Sequence, residues 1–551
     1  MYDILLINPI NHYGLSSNPL GMQIIHSICE KNGYKVKLLD LALEHKKEGY
    51  FFTKEIFTWI ENKIKLYPSK YYGISIMNGT FIWGLEIAKI IKKLDYKKIV
   101  FVGGPQATAL KEKIFDITTN IDYCLLYEGE TTVLKFLNMI EDEKAQLPYN
   151  VIKRDEMDYT CQLTSENINE IPPLDYKDYY NVRIVDVEVG RGCPYSCYYC
   201  SAKSLVGHNI RYKKIEKILS ESQELYDNMC AETRKYINFN HDNFLSSRKV
   251  FKEFINKKLG GKYGFPYGCE GRIDAIDDEI IDDLYKSNCV YLFVGLETGS
   301  ERMQEISKKR LHLNDIKSKI KKITDKGIFF ESNFIIGFPE ETLEDLYQTI
   351  RLVAELSWIS FNVRISYSFM SPEPGSEVFH NVNLDECVMV KDDHIYSELK
   401  SVGFDVDNMP VLYFNHLYTI QNLNYDVLYY IKCASIYFPM LYNYHMSTYL
   451  LFKMKNKDIC EVFENLGNFC SAEEAISYFY EREKKSLSPV ECDMIRYEMD
   501  LNYILNNDVS EYSFEYNYPV QKIYKKFKQN KDNYLEWEKE NEIPTKIVSK
   551  K

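Results

Sequence analysis

From residue 2 to about residue 142, short unbroken apolar runs alternate with amphipathic stretches: YDILLI, LGMQIIHSICEKNGY, VKLLDL, YGISIM, IWGLEIAKIIKKL, KIVFVGGP, DYCLLYEGE and TVLKFLNMI. Apolar runs without alternation mark strands buried on both faces, and their succession with helices predicts a parallel sheet covered on both sides. Residues 1–142 are therefore expected to form a doubly wound α/β domain. Ligands of such sheets sit at the carboxyl ends of the strands, where this sequence places Asn8, Pro9, Ser75, Gly103, Gly104, Pro105, Glu128, Gly129 and Glu130. The glycines let backbone approach a ligand closely. No GxGxxG follows the first strand, so an ordinary dinucleotide pocket has no support.

Residues 143–182 lose the periodicity and contain the Pro172, Pro173 pair, the composition of a linker. A second β/α alternation fills residues 183–375, with strands expected at VDVEVG, KYINFN, PYGCEGRI, VYLFVGLE, FFESNFIIGF and VRISYSFM. Six repeats predict a partial (β/α)6 barrel, not a closed eight-stranded one. Residues 376–551 read as a mainly helical C-terminal domain rich in tyrosine, with a charged tail from about Lys525. The uncharged stretch 433–452 has the length of a membrane span, but Pro439, Asn443 and His445 interrupt it, so a buried helical segment is expected.

The chain has 551 residues, enough for two to four domains, with 45% hydrophobic and 27% charged residues, the proportions of a globular protein. A net charge of −12 speaks against a surface that steers the whole protein onto nucleic acid. The N-terminus MYDILLINP lacks a basic region and a long apolar run, so no export signal is expected and the location is expected to be cytoplasmic. Fourteen cysteines in a reducing compartment are expected to be free thiols, and those that cluster invite a metal hypothesis.

The tight cluster is Cys193, Cys197 and Cys200, a CxxxCxxC pattern directly after the first strand of the second alternation. Three thiolates on one loop can bind three irons of a cubane and leave the fourth open, as a catalytic metal centre requires. Alternatives are a zinc site completed by a distant ligand, an electron-transfer cluster, or chance clustering; no second CxxC or Cys/His pair lies nearby to favour zinc. Cys269 and Cys289 stand in strand-like apolar settings and are expected in the core.

With these residues in place, positions 181–375 resemble the radical S-adenosylmethionine (SAM) superfamily, whose CxxxCxΦC motif follows the first barrel strand; Tyr199 fills the aromatic position. The resemblance implies a [4Fe–4S] cluster on the three cysteines, SAM chelated at the open iron, and reductive cleavage of SAM to a 5′-deoxyadenosyl radical. An external electron donor such as flavodoxin or ferredoxin would supply the electron. Val294 to Ser300 resembles the fourth-strand segment whose glutamate contacts SAM, which nominates Glu297. Asn333 to Glu340 resembles the fifth-strand GxIxGxxE segment packed against adenine, with Asn333 in place of its first glycine; it nominates Gly337, and Ser332 or Asn333 for the ribose. Asp242 ends the second strand, where the family often carries a polar group lining the cavity, and a helix-cap role explains it as well.

The first α/β domain, with VGGPQAT and YEGE, resembles the cobalamin-binding domain of the B12-dependent radical SAM class. No DxHxxG motif is present, so cobalt ligation by a histidine of that motif has no support, and Gln106 stands where related sequences often have histidine. The resemblance implies that one SAM methylates cobalamin, another yields the radical that removes hydrogen from substrate carbon, and methylcobalamin delivers the methyl group. Expected is methylation of an unactivated carbon of a peptide or small natural product. The alternatives are rearrangement or cyclisation without methyl transfer, a radical SAM enzyme that has lost cobalamin, and an iron–sulfur carrier or zinc-stapled scaffold without catalysis. No protein side chain is nominated as a catalytic group, and no Ser/His/Asp triad, P-loop or zinc-protease motif competes.

Overall fold

The computed structural model describes residues 1–551 except 13–16, 143–144, 157, 392–393, 508–510, 519, 530–544 and 551. Most of the charged tail, residues 530–544 and 551, thus lies outside the described residues. The chain divides into two compact units: the first comprises Met1–Phe293, Ile306–Lys309 and Met370–Gln421, and the second Val294–Glu305, Arg310–Phe369 and Asn422–Lys551.

In the first unit, β1 (Tyr2–Asn8), β2 (Val36–Asp40), β3 (Ser69–Ser75), β4 (Ile99–Gly103) and β5 (Tyr123–Leu125) form the expected parallel sheet in the order β2-β1-β3-β4-β5. The order reverses beside β1, which makes the β1/β3 boundary a topological switch point. Each face buries its own cluster. Leu5, Ile7, Tyr72, Ile74, Val100 and Val102 pack on one side, and Ile4, Leu6, Val36, Phe101 and Leu125 on the other. Burial on both faces explains why these strands read as unbroken apolar runs. A sixth strand, β6 (Val151–Lys153), pairs antiparallel with β5. The sequence showed no strand there, because three residues are too few to display a period.

One cluster also takes in Ile395, Leu399, Val402, Phe414, Leu417 and Tyr418, so part of the C-terminal region covers the first sheet. The antiparallel pair β15 (Cys387–Met389) and β16 (Tyr418–Ile420) closes that cover.

The barrel strands of the first unit are β7 (Ile184–Glu188), β10 (Tyr236–Asn240), β11 (Tyr267–Glu270) and β12 (Cys289–Phe293), parallel neighbours in that order. Between β7 and β10 lie the two-residue strands β8 (Gly190–Arg191) and β9 (Arg211–Tyr212), an antiparallel pair. The sheet registers Asp186 opposite Asn238 and Glu188 opposite Asn240, placing these four on one face. Val185, Val187, Ile237, Phe239 and Cys269 alternate onto the opposite face and are fully buried. Cys269 and Cys289 are core residues, as expected.

The second unit holds β13 (Phe329–Ile336) and β14 (Val363–Phe369), parallel over their lengths, which brings the barrel strands of the two units to the expected six. Its C-terminal part is helical; the helix Val427–Asn443 runs unbroken through Pro439 and is followed by the short helix His445–Thr448. Among the described residues no helix is long and apolar enough to cross a membrane. The antiparallel pair β17 (Glu511–Tyr516) and β18 (Thr545–Lys550) ends the unit. Its tyrosines divide between uses: Tyr437 is fully buried and donates to the Ile350 carbonyl at 2.9 Å, while Tyr429 and Tyr442 face solvent.

Candidate functional site

Within the first unit, a cavity of about 570 Å³ opens at the carboxyl ends of the first sheet's strands. Asn8, Ser75, Gly103, Gly104, Pro105, Glu128 and Gly129 all line it, so the strand-end residues nominated in the first domain converge on one space. The opposite wall comes from the barrel strands: Asp186, Glu188, Gly190, Arg191, Asn240, His241 and Asp242.

Backbone conformation keeps the first wall open. Gly104 has φ +104°, and a Cβ there would lie 2.7 Å from the Ile76 carbonyl oxygen, so only glycine fits. At Gly129 a Cβ would meet Ile25 at 2.9 Å. Asn8 donates to Asp40 at 2.8 Å, and Asp40 also caps the following helix through the amides of Ala42 and Leu43.

Glu128 lines the cavity, yet its carboxylate is committed to Arg211 and, at 3.3 Å, to Arg191. Arg191 also pairs with Glu130 and, at 2.7 Å, with Glu188. Burial opposes the Arg191 charge, but Glu188 and Glu130, joined by Glu128, outweigh it and raise its pKa further. This ion network ties the end of β5 to the β8/β9 pair.

Arg191 stands two residues before Cys193, so the network anchors the cysteine loop. The loop begins at Gly192, φ +96°, where a Cβ would lie 2.3 Å from the Asn209 carbonyl oxygen. The Cys193 amide donates to the Gly207 carbonyl, and the Tyr198 amide to the Ser307 carbonyl at 2.9 Å. Cys193, Cys197 and Cys200 are free thiols, and the Ala202 amide donates to the Cys200 sulfur at 3.4 Å. Tyr199 is half-buried between them. Among the described residues no three His, Cys, Asp or Glu side chains gather round a single ion. A cubane spreads its thiolates over separate irons, one each.

The remaining nominated residues belong to the second unit. Glu297 is buried with φ +68°; its amide donates to the Asn333 carbonyl at 3.0 Å, and its carbonyl accepts from Ile335 at 2.8 Å. Gly337, φ +91°, donates its amide to Glu341 at 2.9 Å. Strand alternation separates Ser332 from Asn333. Ser332 shares the buried face of Phe330 and Phe334, whereas Asn333 lies on the half-buried face and donates to Ser368 at 3.0 Å.

Residues 187–353 match the family model described as the radical SAM superfamily, and residues 10–137 match the B12 binding domain. The chain is a cobalamin-binding radical SAM enzyme. Among its relatives, an uncharacterized methyltransferase of Pyrococcus horikoshii is 23% identical over 66% of this chain and 78% of its own length. The cytidylyl-2-hydroxyethylphosphonate methyltransferase of Streptomyces wedmorensis is 23% identical over 70% of this chain and 81% of its own. The enzyme shares its fold with the cobalamin-dependent SAM radical enzyme OxsB, at TM-score 0.65 and 13% identity over 98% of this chain and 84% of that one.

The cofactors of the enzyme are a [4Fe–4S] cluster, SAM and cobalamin. Its residues fit them. Three free thiols on a glycine-hinged loop suit the cluster, and the glycine-lined cavity beneath the first sheet suits a large planar ligand approached by backbone. Two features of the enzyme's site escaped the sequence. Arg191 and Arg211 hold Glu128, an ion pairing across more than sixty residues that leaves no local pattern. His241, beside the nominated Asp242, lines the cavity, and its buried Nε2 has no hydrogen-bond partner among the described residues.

Proposed function

We propose that the enzyme methylates an unactivated carbon of a peptide or small natural product. When bound, SAM at the reduced cluster supplies a hydrogen-abstracting radical and methylcobalamin supplies the methyl group. In this proposal Cys193, Cys197 and Cys200 hold the cluster, Glu297, Asn333 and Gly337 contact SAM, and Asn8, Ser75, Gly103, Gly104, Pro105 and Gly129 receive the corrin. Tyr199 shields the cluster loop, and Glu128 acts through Arg191 and Arg211.

The observation that carries the reading is the cavity shared by the first sheet's glycine-lined edge and the ends of β7 and β10, its wall locked by Arg191 to the cysteine loop. A substrate radical must meet its methyl donor before it is quenched, so the two cofactors must open onto one enclosed space. The nominated partners are a small-molecule or peptide substrate and an external reductant such as flavodoxin or ferredoxin. Anaerobically reconstituted protein is expected to hold about four irons and about one cobalt per chain and to give both 5′-deoxyadenosine and S-adenosylhomocysteine from SAM. Deoxyadenosine without cobalt would reduce the function to radical SAM chemistry alone. Cobalt with deoxyadenosine but no S-adenosylhomocysteine would favour rearrangement or cyclisation.

A further inference from the structure

His241 follows β10 and is buried, at 5% exposure, on the barrel wall of the cavity. Its Nδ1 accepts the Asn243 amide at 2.8 Å. A ring nitrogen that accepts from an N–H carries no proton, so in the neutral imidazole the proton sits on Nε2. Burial lowers the pKa of the ring to about 4, which keeps it neutral at neutral pH. Among the described residues Nε2 has no hydrogen-bond partner.

The ring is also fixed in place. Tyr212 stacks on it at 5.1 Å with an interplanar angle of 7°, and the Tyr212 hydroxyl is held by Ser246 at 2.8 Å. At its Cδ2–Nε2 edge, Gly190, which also lines the cavity, leaves room that a Cβ would fill, 2.5 Å from His241 Cδ2 and 3.0 Å from Nε2. A buried donor held rigidly without an acceptor is costly and is found where a ligand completes it.

We propose that His241 is a cobalamin-binding residue whose Nε2–H donates to an amide carbonyl on the corrin rim, and that its ring does not ligate cobalt. The inference rests on the proposed function in placing cobalamin in this cavity. The corrin periphery carries acetamide and propionamide groups, neutral acceptors suited to a neutral imidazole donor. Ligation would need the Nε2 lone pair free and a proton on Nδ1, where the Asn243 amide already points.

The test measures cobalamin affinity of the cluster-loaded enzyme by equilibrium dialysis with hydroxocobalamin, in the absence of substrate. H241F fills the space without a donor and is expected to weaken binding roughly five- to hundredfold, the effect of leaving one buried acceptor unmet. H241Q restores an N–H donor and is expected to recover most of the loss. Histidine ¹⁵N labelling is expected to leave the cob(II)alamin EPR spectrum of the wild-type enzyme unchanged. Equal affinity of H241F and wild type overturns the proposal, and so does a nitrogen splitting that responds to the label and vanishes in H241F. A wild-type enzyme that binds no cobalamin overturns the proposed function and this inference together, whereas binding without dependence on His241 overturns the inference alone. Should H241F not fold, the labelled wild-type spectrum and H241Q still decide.

Discussion

Arg191 is the point at which the cavity wall and the cysteine loop are held by one side chain. Its side chain is 13% exposed, and the carboxylates it serves are 4%, 9% and 5% exposed for Glu128, Glu130 and Glu188. Removing one partner of a buried pair costs about 3–5 kcal/mol, because the charge left behind has lost both water and its partner. In R191M the loss is shared unequally. Glu128 keeps Arg211, and Glu188 keeps Lys213 at 3.8 Å, while Glu130 has no other ion pair among the described residues. The expected cost therefore lies at the lower end, about 3 kcal/mol, or a fall of roughly 5 °C or more in the melting of the first unit. E130Q/R191M removes the stranded charge and is expected to recover about half of the fall. R191K keeps a charge but no planar fork and is expected to lie between. Calorimetry of the apoprotein reads all three, and iron content after reconstitution reads the loop, expected to drop in R191M because Cys193 lies two residues away. A buried network is weakly screened, so the ranking is expected to persist at high salt. R191M melting within a degree of wild type would refute the argument, since it would mean that water already solvates these carboxylates.

C193A, C197A and C200A are each expected to abolish reconstitution of the full cluster, read as iron content and loss of visible iron–sulfur absorbance. Glu270 is raised to about 7 by burial, with Asp242 and Asp186 adding to it. Its folded-state pKa exceeds the unfolded value near 4.5, so stability falls as pH rises between about 4.5 and 7; E270Q is expected to stabilise the apoprotein by up to about 3 kcal/mol above pH 7 and not at all below pH 4.5, in denaturation followed across pH. His241 has the opposite sign. Its folded pKa of about 4 lies below the unfolded value of 6.5, so stability is lost as pH falls through that window, and H241Q is expected to abolish that slope. G104A places a Cβ 2.7 Å from a backbone oxygen in a left-handed conformation and is expected to cost about 1–3 kcal/mol and to weaken cobalamin binding, measured by calorimetry and dialysis.

What the sequence revealed follows from which physical constraints act locally. A strand buried on both faces must be apolar along its length, so β1, β3 and β4 announced themselves, and strand ends of a parallel sheet are where backbone must meet ligand, so Asn8, Ser75, Gly103 and Gly104 could be nominated and do share one cavity. Phase is less legible. Ser332 and Asn333 were equal candidates, and only strand geometry sends Ser332 to the core side with Phe330 and Phe334 and leaves Asn333 half-buried. Partnership across distance is not legible at all. The apolar face of residues 395–418 says that something must cover it, not that the first sheet does. Glu128 likewise has the look of a ligand-facing acid, and its neutralisation by Arg191 and Arg211 depends on a fold that sequence spacing does not encode. The same limit explains His241. Next to a carboxylate it draws little notice, because what distinguishes it is the Asn243 amide occupying one nitrogen and the other left without a described partner on the cavity wall, two facts of geometry. The polar atoms that a fold leaves unpaired are thus the part of a binding site least visible in sequence, and in this enzyme one of them, His241 Nε2, lies on the barrel wall, opposite the glycines that sequence could find.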